Sequence, residues 1–215
     1  MVEVIPAILE KDFSEIEKKI RLLDPPAGGL VEWVQIDVAD GLLVPNDTKT
    51  APAAFKNLKT KLKLEAHLMV KEPAKLAAAY ADSGFKRLYA HIEAEGIDDF
   101  LAEAFKKNVE VGLAIDGPTP YEKIVPYLDN IDCVLVLAVK AGFSGQAFLP
   151  DTPHKVRKIK EAFFDLPICV DGAMTAENAA KVVRVGASRI NSNSYLYNAP
   201  DLARAIDSLR SLSTN

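Results

Sequence analysis

Four polar positions set among apolar residues mark where chemistry would begin in this chain. The stretch from Val34 to Asn46 reads as an apolar strand that runs into Asp37 and breaks at Asp40-Gly41. Alternation along a strand puts Gln35, Asp37 and Ala39 on one face and Val34, Ile36 and Val38 on the other. A carboxylate in such surroundings is unfavourable unless it is paired, bound to a metal or used. Comparable groups recur downstream: His67 in Glu65-Ala66-His67-Leu68-Met69, then His91, then Asp171-Gly172. Two carboxylates facing each other across a ligand suit removal of a proton from one face of a carbon and its return to the other. Together with His67 they also suit a divalent cation that would stabilise an enediolate.

Those groups need elements to hold them, and the chain supplies a repeated unit of short apolar run, turn and amphipathic segment. Strands are expected at 2–9, 31–39, 62–70, 87–94, 110–116, 133–139, 167–170 and 188–191. Helices are expected at 12–23, 51–58, 72–83, 97–107, 118–128, 153–164, 175–185 and 200–212. The Pro25-Pro26-Ala27-Gly28-Gly29 cluster should end the first helix, the connection from Asp40 to Lys49 should follow the second strand, and Thr175 should cap the seventh helix. Eight strand–helix units in 215 residues fit a single (β/α)8 TIM barrel spanning 1–215 better than an open doubly wound sheet. In that barrel the polar groups fall at the C-terminal ends of strands, where barrel chemistry resides. Asp37 and Asp171 come from nearly opposite strands.

Loops after the last three strands are rich in small residues. Ala141-Gly142-Phe143-Ser144-Gly145-Gln146 follows the sixth strand, Asp171-Gly172-Ala173 the seventh, and Asn193-Ser194 the eighth. Small side chains there let backbone N–H groups approach a phosphate. A pair of glycines alone marks any tight turn; its place after a sixth barrel strand gives it meaning.

Composition narrows the classes. A net charge of −4 with basic residues scattered along helices argues against nucleic acid. No apolar run is long enough to span a membrane, and the opening Met1-Val2-Glu3-Val4-Ile5-Pro6 lacks a signal peptide's features. Cys133 and Cys169 sit in apolar runs without ligand spacing and read as buried thiols of a reducing, cytoplasmic compartment.

The segments Pro6-Ala7-Ile8-Leu9, Ile36 to Gly41, Val44-Pro45-Asn46, His67-Leu68-Met69, Gly142 to Gln146 and Val170-Asp171-Gly172 resemble the ribulose-phosphate 3-epimerase family, in family order over essentially the whole chain. The resemblance implies an isomerase of carbohydrate metabolism that interconverts D-ribulose and D-xylulose 5-phosphates through a cis-enediolate. Asp37 and Asp171 would be its acid/base pair. They would share a divalent metal (zinc, iron(II), cobalt or manganese) with His67 and with Gln35, which stands where the family has a second histidine. Substrate contacts would come from Ala7, His67, Met69, Gly142, Phe143, Ser144, Gly145, Gly172, Ala173, Asn193 and Ser194. Assembly as a homo-oligomer is implied by the same resemblance.

Departures cluster in the same pocket. Ala7 replaces a serine, Ala39 a methionine, Ala141 a proline, and Ser144, Ala173 and Asn193 replace glycines near the phosphate. Lys140 stands where the family has Asn, Asp or Glu. Amide oxygen is a poorer ligand than imidazole for zinc-like ions, so metal affinity should be reduced. Two further readings follow: a barrel that binds a phosphosugar without turning it over, and a Schiff-base lyase built on Lys140.

Overall fold

Near-continuous runs of Val, Ile, Leu and Ala produce strands that can be buried on both faces, and the chain uses them as a parallel sheet rolled on itself. The computed structural model describes residues 1–25, 28–48 and 50–213. Eight parallel strands close in sequence order: β1 (Glu3–Ile8), β2 (Trp33–Ala39), β3 (Lys63–Met69), β4 (Arg87–His91), β5 (Glu110–Ile115), β6 (Cys133–Leu137), β7 (Ile168–Asp171) and β8 (Arg189–Ser192). Closure is made by β1 against β8, from Glu3 opposite Arg189 to Pro6 opposite Ser192. This is a single (β/α)8 barrel.

Outside it lie α1 (Phe13–Leu23), α2 (Ala74–Ala81), α3 (Ile97–Phe105), α4 (Thr152–Ala162), α5 (Ala176–Val183), α6 (Ser194–Tyr197) and α7 (Leu202–Arg210). Helices pack by apolar stripes at helical spacing, such as Ile16, Ile20 and Leu23 of α1. These stripes meet the outward residues of the strands, among them Val34, Ile36, Val38, Leu64, Ala66 and Leu68, in one continuous core. The Thr175 side chain accepts from the Asn178 backbone N–H at 3.2 Å and caps α5.

Strand alternation sends the opposite set of residues into the lumen, which is divided lengthwise. Tyr89, Ala114, Cys133, Leu135, Leu137 and Cys169 form an apolar half. Gln35, Asp37, Glu65, His67, Arg87, Asn191 and Asp171 are all buried and form a polar half. Gly112 makes room for the apolar half, because a Cβ there would lie 2.4 Å from the Tyr89 ring. Both cysteines are buried free thiols.

The structure corrects several expected elements. The helix expected over 118–128 is two 3-10 turns, Tyr121–Lys123 and Val125–Asn130, because Pro126 removes an N–H and blocks the preceding turn of an α-helix. The segment expected as a helix over 51–58 is likewise a 3-10 turn, Pro52–Asn57, and β4 ends at His91 rather than at Ala94. Helix α6 had no expected counterpart. Pro26 and Ala27 of the expected helix stop, Lys49 of the expected connection, and Thr214 and Asn215 lie outside the described residues.

Candidate active site

Register decides which polar groups meet. β2 and β3 pair with Gln35 opposite Glu65, Asp37 opposite His67 and Ala39 opposite Met69. β7 and β8 pair with Asp171 opposite Asn191. Asp37, His67 and Asp171 are thereby brought together, with one donor atom of each within 4.8 Å of the others. All three line a cleft of about 550 Å³, counted out to its open mouth.

One amide joins the two carboxyls. Gln35 Nε2 donates to Asp37 Oδ1 at 2.8 Å and to Asp171 Oδ2 at 2.7 Å. Gln35 Oε1 in turn accepts from Asn191 Nδ2 at 2.6 Å. The same Asn191 nitrogen donates to Glu65 Oε1 at 2.8 Å. Glu65 Oε2 accepts from Arg87 Nη1, and the Arg87 guanidinium stacks 3.9 Å over the Trp33 ring at the start of β2. A second line leaves Asp37 on its other side: Asp37 Oδ1 to His67 Nδ1 at 2.9 Å, His67 Nε2 to His91 Nε2 at 2.8 Å, and His91 Nδ1 to Glu93 Oε2 at 3.0 Å.

Burial dominates the ionisation of these groups. Desolvation pushes Asp37 up to about 7, against the Gln35 hydrogen bond and the nearby His91. It pushes Asp171 up to about 6, the Asp37 charge adding to the rise, while His67, Gln35 and the Gly172 N–H oppose it. His67 is held down to about 3 by burial and by His91, so its imidazole is neutral at ordinary pH. Glu65 is raised by burial, with Arg87 and Asn191 opposing. Burial would also raise Glu93, but its hydrogen bond and charge interaction with His91 bring it down to about 2.

The expected substrate-contacting residues divide in two. His67, Met69, Gly142, Phe143, Ser144, Gly145, Gly172, Ala173, Asn193 and Ser194 all line the cleft. Ala7 does not: it is buried beside Gln35 in the β1–β2 register, below the cleft floor. Neither does Gln35, whose amide oxygen faces Asn191 while its N–H groups face the carboxyls. Lys140 is exposed and outside the cleft lining, so it lacks the burial that would activate a Schiff-base lysine.

The loops over the cleft are held by their own side chains. Asn46 Nδ2 donates to the Gly142 carbonyl at 2.9 Å, joining the loop after β2 to the loop after β6. Gln146 Nε2 donates to the Lys140 and Phe143 carbonyls at 2.6 and 2.8 Å, folding that second loop on itself. Gly172 adopts φ +94°, and a Cβ there would lie 2.6 Å from Val139 Cγ2. Ala173 follows at φ +53°, a left-handed conformation that disfavours a side chain.

Glu65, Asn191 and Arg87 were not foreseen as parts of the site. Their signal was parity: Glu65 lies two residues before His67, Arg87 four before His91, and Asn191 is an amide within a short apolar strand.

Asp37, His67 and Asp171 suit a divalent ion, offering two carboxylates and a neutral imidazole. Gln35 does not add an oxygen to that set.

Two buried carboxyls at the C-terminal mouth of a (β/α)8 barrel are groups of the kind acid/base chemistry uses. The ribulose-phosphate 3-epimerase family model matches residues 3–197. The ribulose-phosphate 3-epimerase of Synechocystis is 32% identical over 218 residues, covering 97% of this chain and 93% of its own. That of Bacillus subtilis is also 32% identical, covering 98% and 99%, and that of Escherichia coli K12 is 31% identical, covering 97% and 94%. The chain belongs to the ribulose-phosphate 3-epimerase family. Among solved structures, 3-hexulose-6-phosphate synthase from Salmonella typhimurium matches with a TM-score of 0.69 at 14% identity, over 96% of both chains. At that identity the likeness concerns the fold. No helix among the described residues is long and apolar enough to cross a membrane.

Proposed function

We propose that the protein is a ketopentose-phosphate 3-epimerase interconverting D-ribulose 5-phosphate and D-xylulose 5-phosphate, with Asp37 and Asp171 as its acid/base pair. The observation that carries this reading is the placement of two buried carboxyls on β2 and β7, three strands apart around the ring, facing one cleft and raised to about 7 and about 6. An acid/base group works best with its pKa near the working pH. One carboxylate takes the proton from carbon 3, leaving an enediolate, while the other, protonated, delivers its proton to the opposite face. Met69 and Leu9 line the same cleft and exclude water from the reacting carbon. The loops at Gly142–Gly145, Gly172–Ala173 and Asn193–Ser194 receive the phosphate. A divalent cation would be held by Asp37, His67 and Asp171 only in exchange for the Gln35 hydrogen bonds, and would then supply positive charge for the enediolate oxygens. Cytoplasmic residence and assembly as a homo-oligomer belong to the same reading; one relative, from rice, is named a cytoplasmic isoform.

The test is deuterium incorporation at carbon 3 of D-ribulose 5-phosphate in heavy water, followed by NMR with wild-type, Asp37→Asn and Asp171→Asn proteins. Exchange and epimerisation by wild type, lost in both variants, would support the assignment. Binding of the sugar phosphate without exchange by folded wild-type protein would overturn it in favour of a non-catalytic barrel.

A further inference from the structure

Hydrogen-bond direction in the polar half of the lumen is fixed from one end. A guanidinium has only donors, so Glu65 Oε2 must accept from Arg87. The Asn191 amide therefore meets Glu65 with its nitrogen, and its second N–H reaches Gln35 Oε1. With that oxygen occupied, Gln35 turns its own NH2 toward the cleft, and its two N–H groups go one to each carboxyl. Reversing the Gln35 amide would set its nitrogen against the Asn191 nitrogen and its oxygen against two carboxyl oxygens. Arg87, Glu65, Asn191 and Gln35 are fully buried, so water cannot repair the mismatch at the Asn191 end.

We propose that Gln35 is a positioning residue whose amide N–H groups tie Asp37 to Asp171 in the place where a cation would otherwise bridge them, so that the site keeps its geometry without a metal and binds one weakly. The inference deepens the acid/base reading and rests on it for its catalytic meaning. The Gln35 N–H groups and a bridging cation would compete for the same two carboxyl oxygens. A cation between Asp37 Oδ1 and Asp171 Oδ2 would face the positive ends of two N–H bonds, and Gln35 cannot turn away without breaking the Asn191 contact. The amide carries partial positive charge in two fixed directions, which separates the carboxyls and sets their lone pairs.

The test is calorimetric titration of zinc into chelator-dialysed protein: wild type, Gln35→His and Gln35→Glu. Both substitutions replace the inward N–H pair with a group able to present a lone pair, and circular dichroism checks that each is folded. Wild type is expected to bind zinc about 100-fold more weakly than either variant, the scale by which altered surroundings change metal sites. Wild-type turnover of D-ribulose 5-phosphate should survive chelation, and turnover by Gln35→His should not. Folded variants that gain no zinc affinity would overturn the tie and leave Gln35 a merely structural residue. Should neither variant fold, the wild-type titration decides alone: one equivalent of zinc bound with Kd below about 1 µM overturns the proposal, and weaker binding supports it. Wild type inactive with and without metal would count against the epimerase assignment, while the titration would still read the tie.

Discussion

Asp37→Asn should make the protein more stable and less active, and the stability gain should depend on pH. Folding moves the Asp37 carboxyl from 3.8 to about 7 because burial disfavours its charged form, which corresponds to about 4 kcal/mol. A carboxyl with its folded pKa above its unfolded value binds more protons when folded. Its contribution is therefore most favourable at low pH and is lost as pH rises from about 4 to about 7. At pH 8 the full penalty applies. At pH 5 the folded group is still protonated while the unfolded one has ionised, so the penalty is about 2 kcal/mol. The variant removes this penalty and retains an oxygen at Oδ1, which accepts from both Gln35 Nε2 and His67 Nδ1. Burying the new amide nitrogen takes back about 1 kcal/mol. For a chain of this size, 1 kcal/mol moves Tm by about 2–4 °C. Differential scanning calorimetry should thus find a gain of roughly 6–12 °C at pH 8 that shrinks to a few degrees at pH 5. Epimerisation should fall about 10³-fold in the same preparation. A gain equal at both pH values, or a loss at pH 8, would refute the desolvation argument.

Replacing Asn191 with Ala strips donors from Gln35 Oε1 and Glu65 Oε1. It should lower unfolding free energy by about 3 kcal/mol in urea titrations. Ala173→Gly relieves the left-handed strain at φ +53°. The gain, about 0.5 kcal/mol after the entropy of glycine is subtracted, should appear as a higher urea midpoint at unchanged slope. Lys140→Ala should leave kcat within about twofold of wild type and raise KM a few-fold, because an exposed cation beside the mouth acts on the incoming anion. Borohydride with the sugar phosphate should accordingly trap no adduct.

The fold was legible because parallel barrel strands must be apolar on both faces, which writes each as a short dense run between turns. Boundaries were less so. Pro118 and Pro120 read as helix starters, while Pro126, six residues further, decided the outcome. Asp37, His67 and Asp171 stood out as charged or polar groups at strand ends. What Gln35 does was hidden, because an amide's two ends differ by hydrogen-bond role alone. The choice is made by Asn191 on β8 and Arg87 on β4, residues whose proximity exists only in the closed barrel.

That closure has a consequence for how the protein matures. The site draws on β2, β3, β7 and β8, and its two carboxyls lie far apart along the chain. A partly folded species with β1 to β4 and their helices in place would have native-like secondary structure and only one carboxyl. The seam between β1 and β8 must form before Asn191 can orient Gln35 and before Asp171 comes opposite Asp37. Activity therefore reports completion of the ring, whereas helix signal reports only its parts.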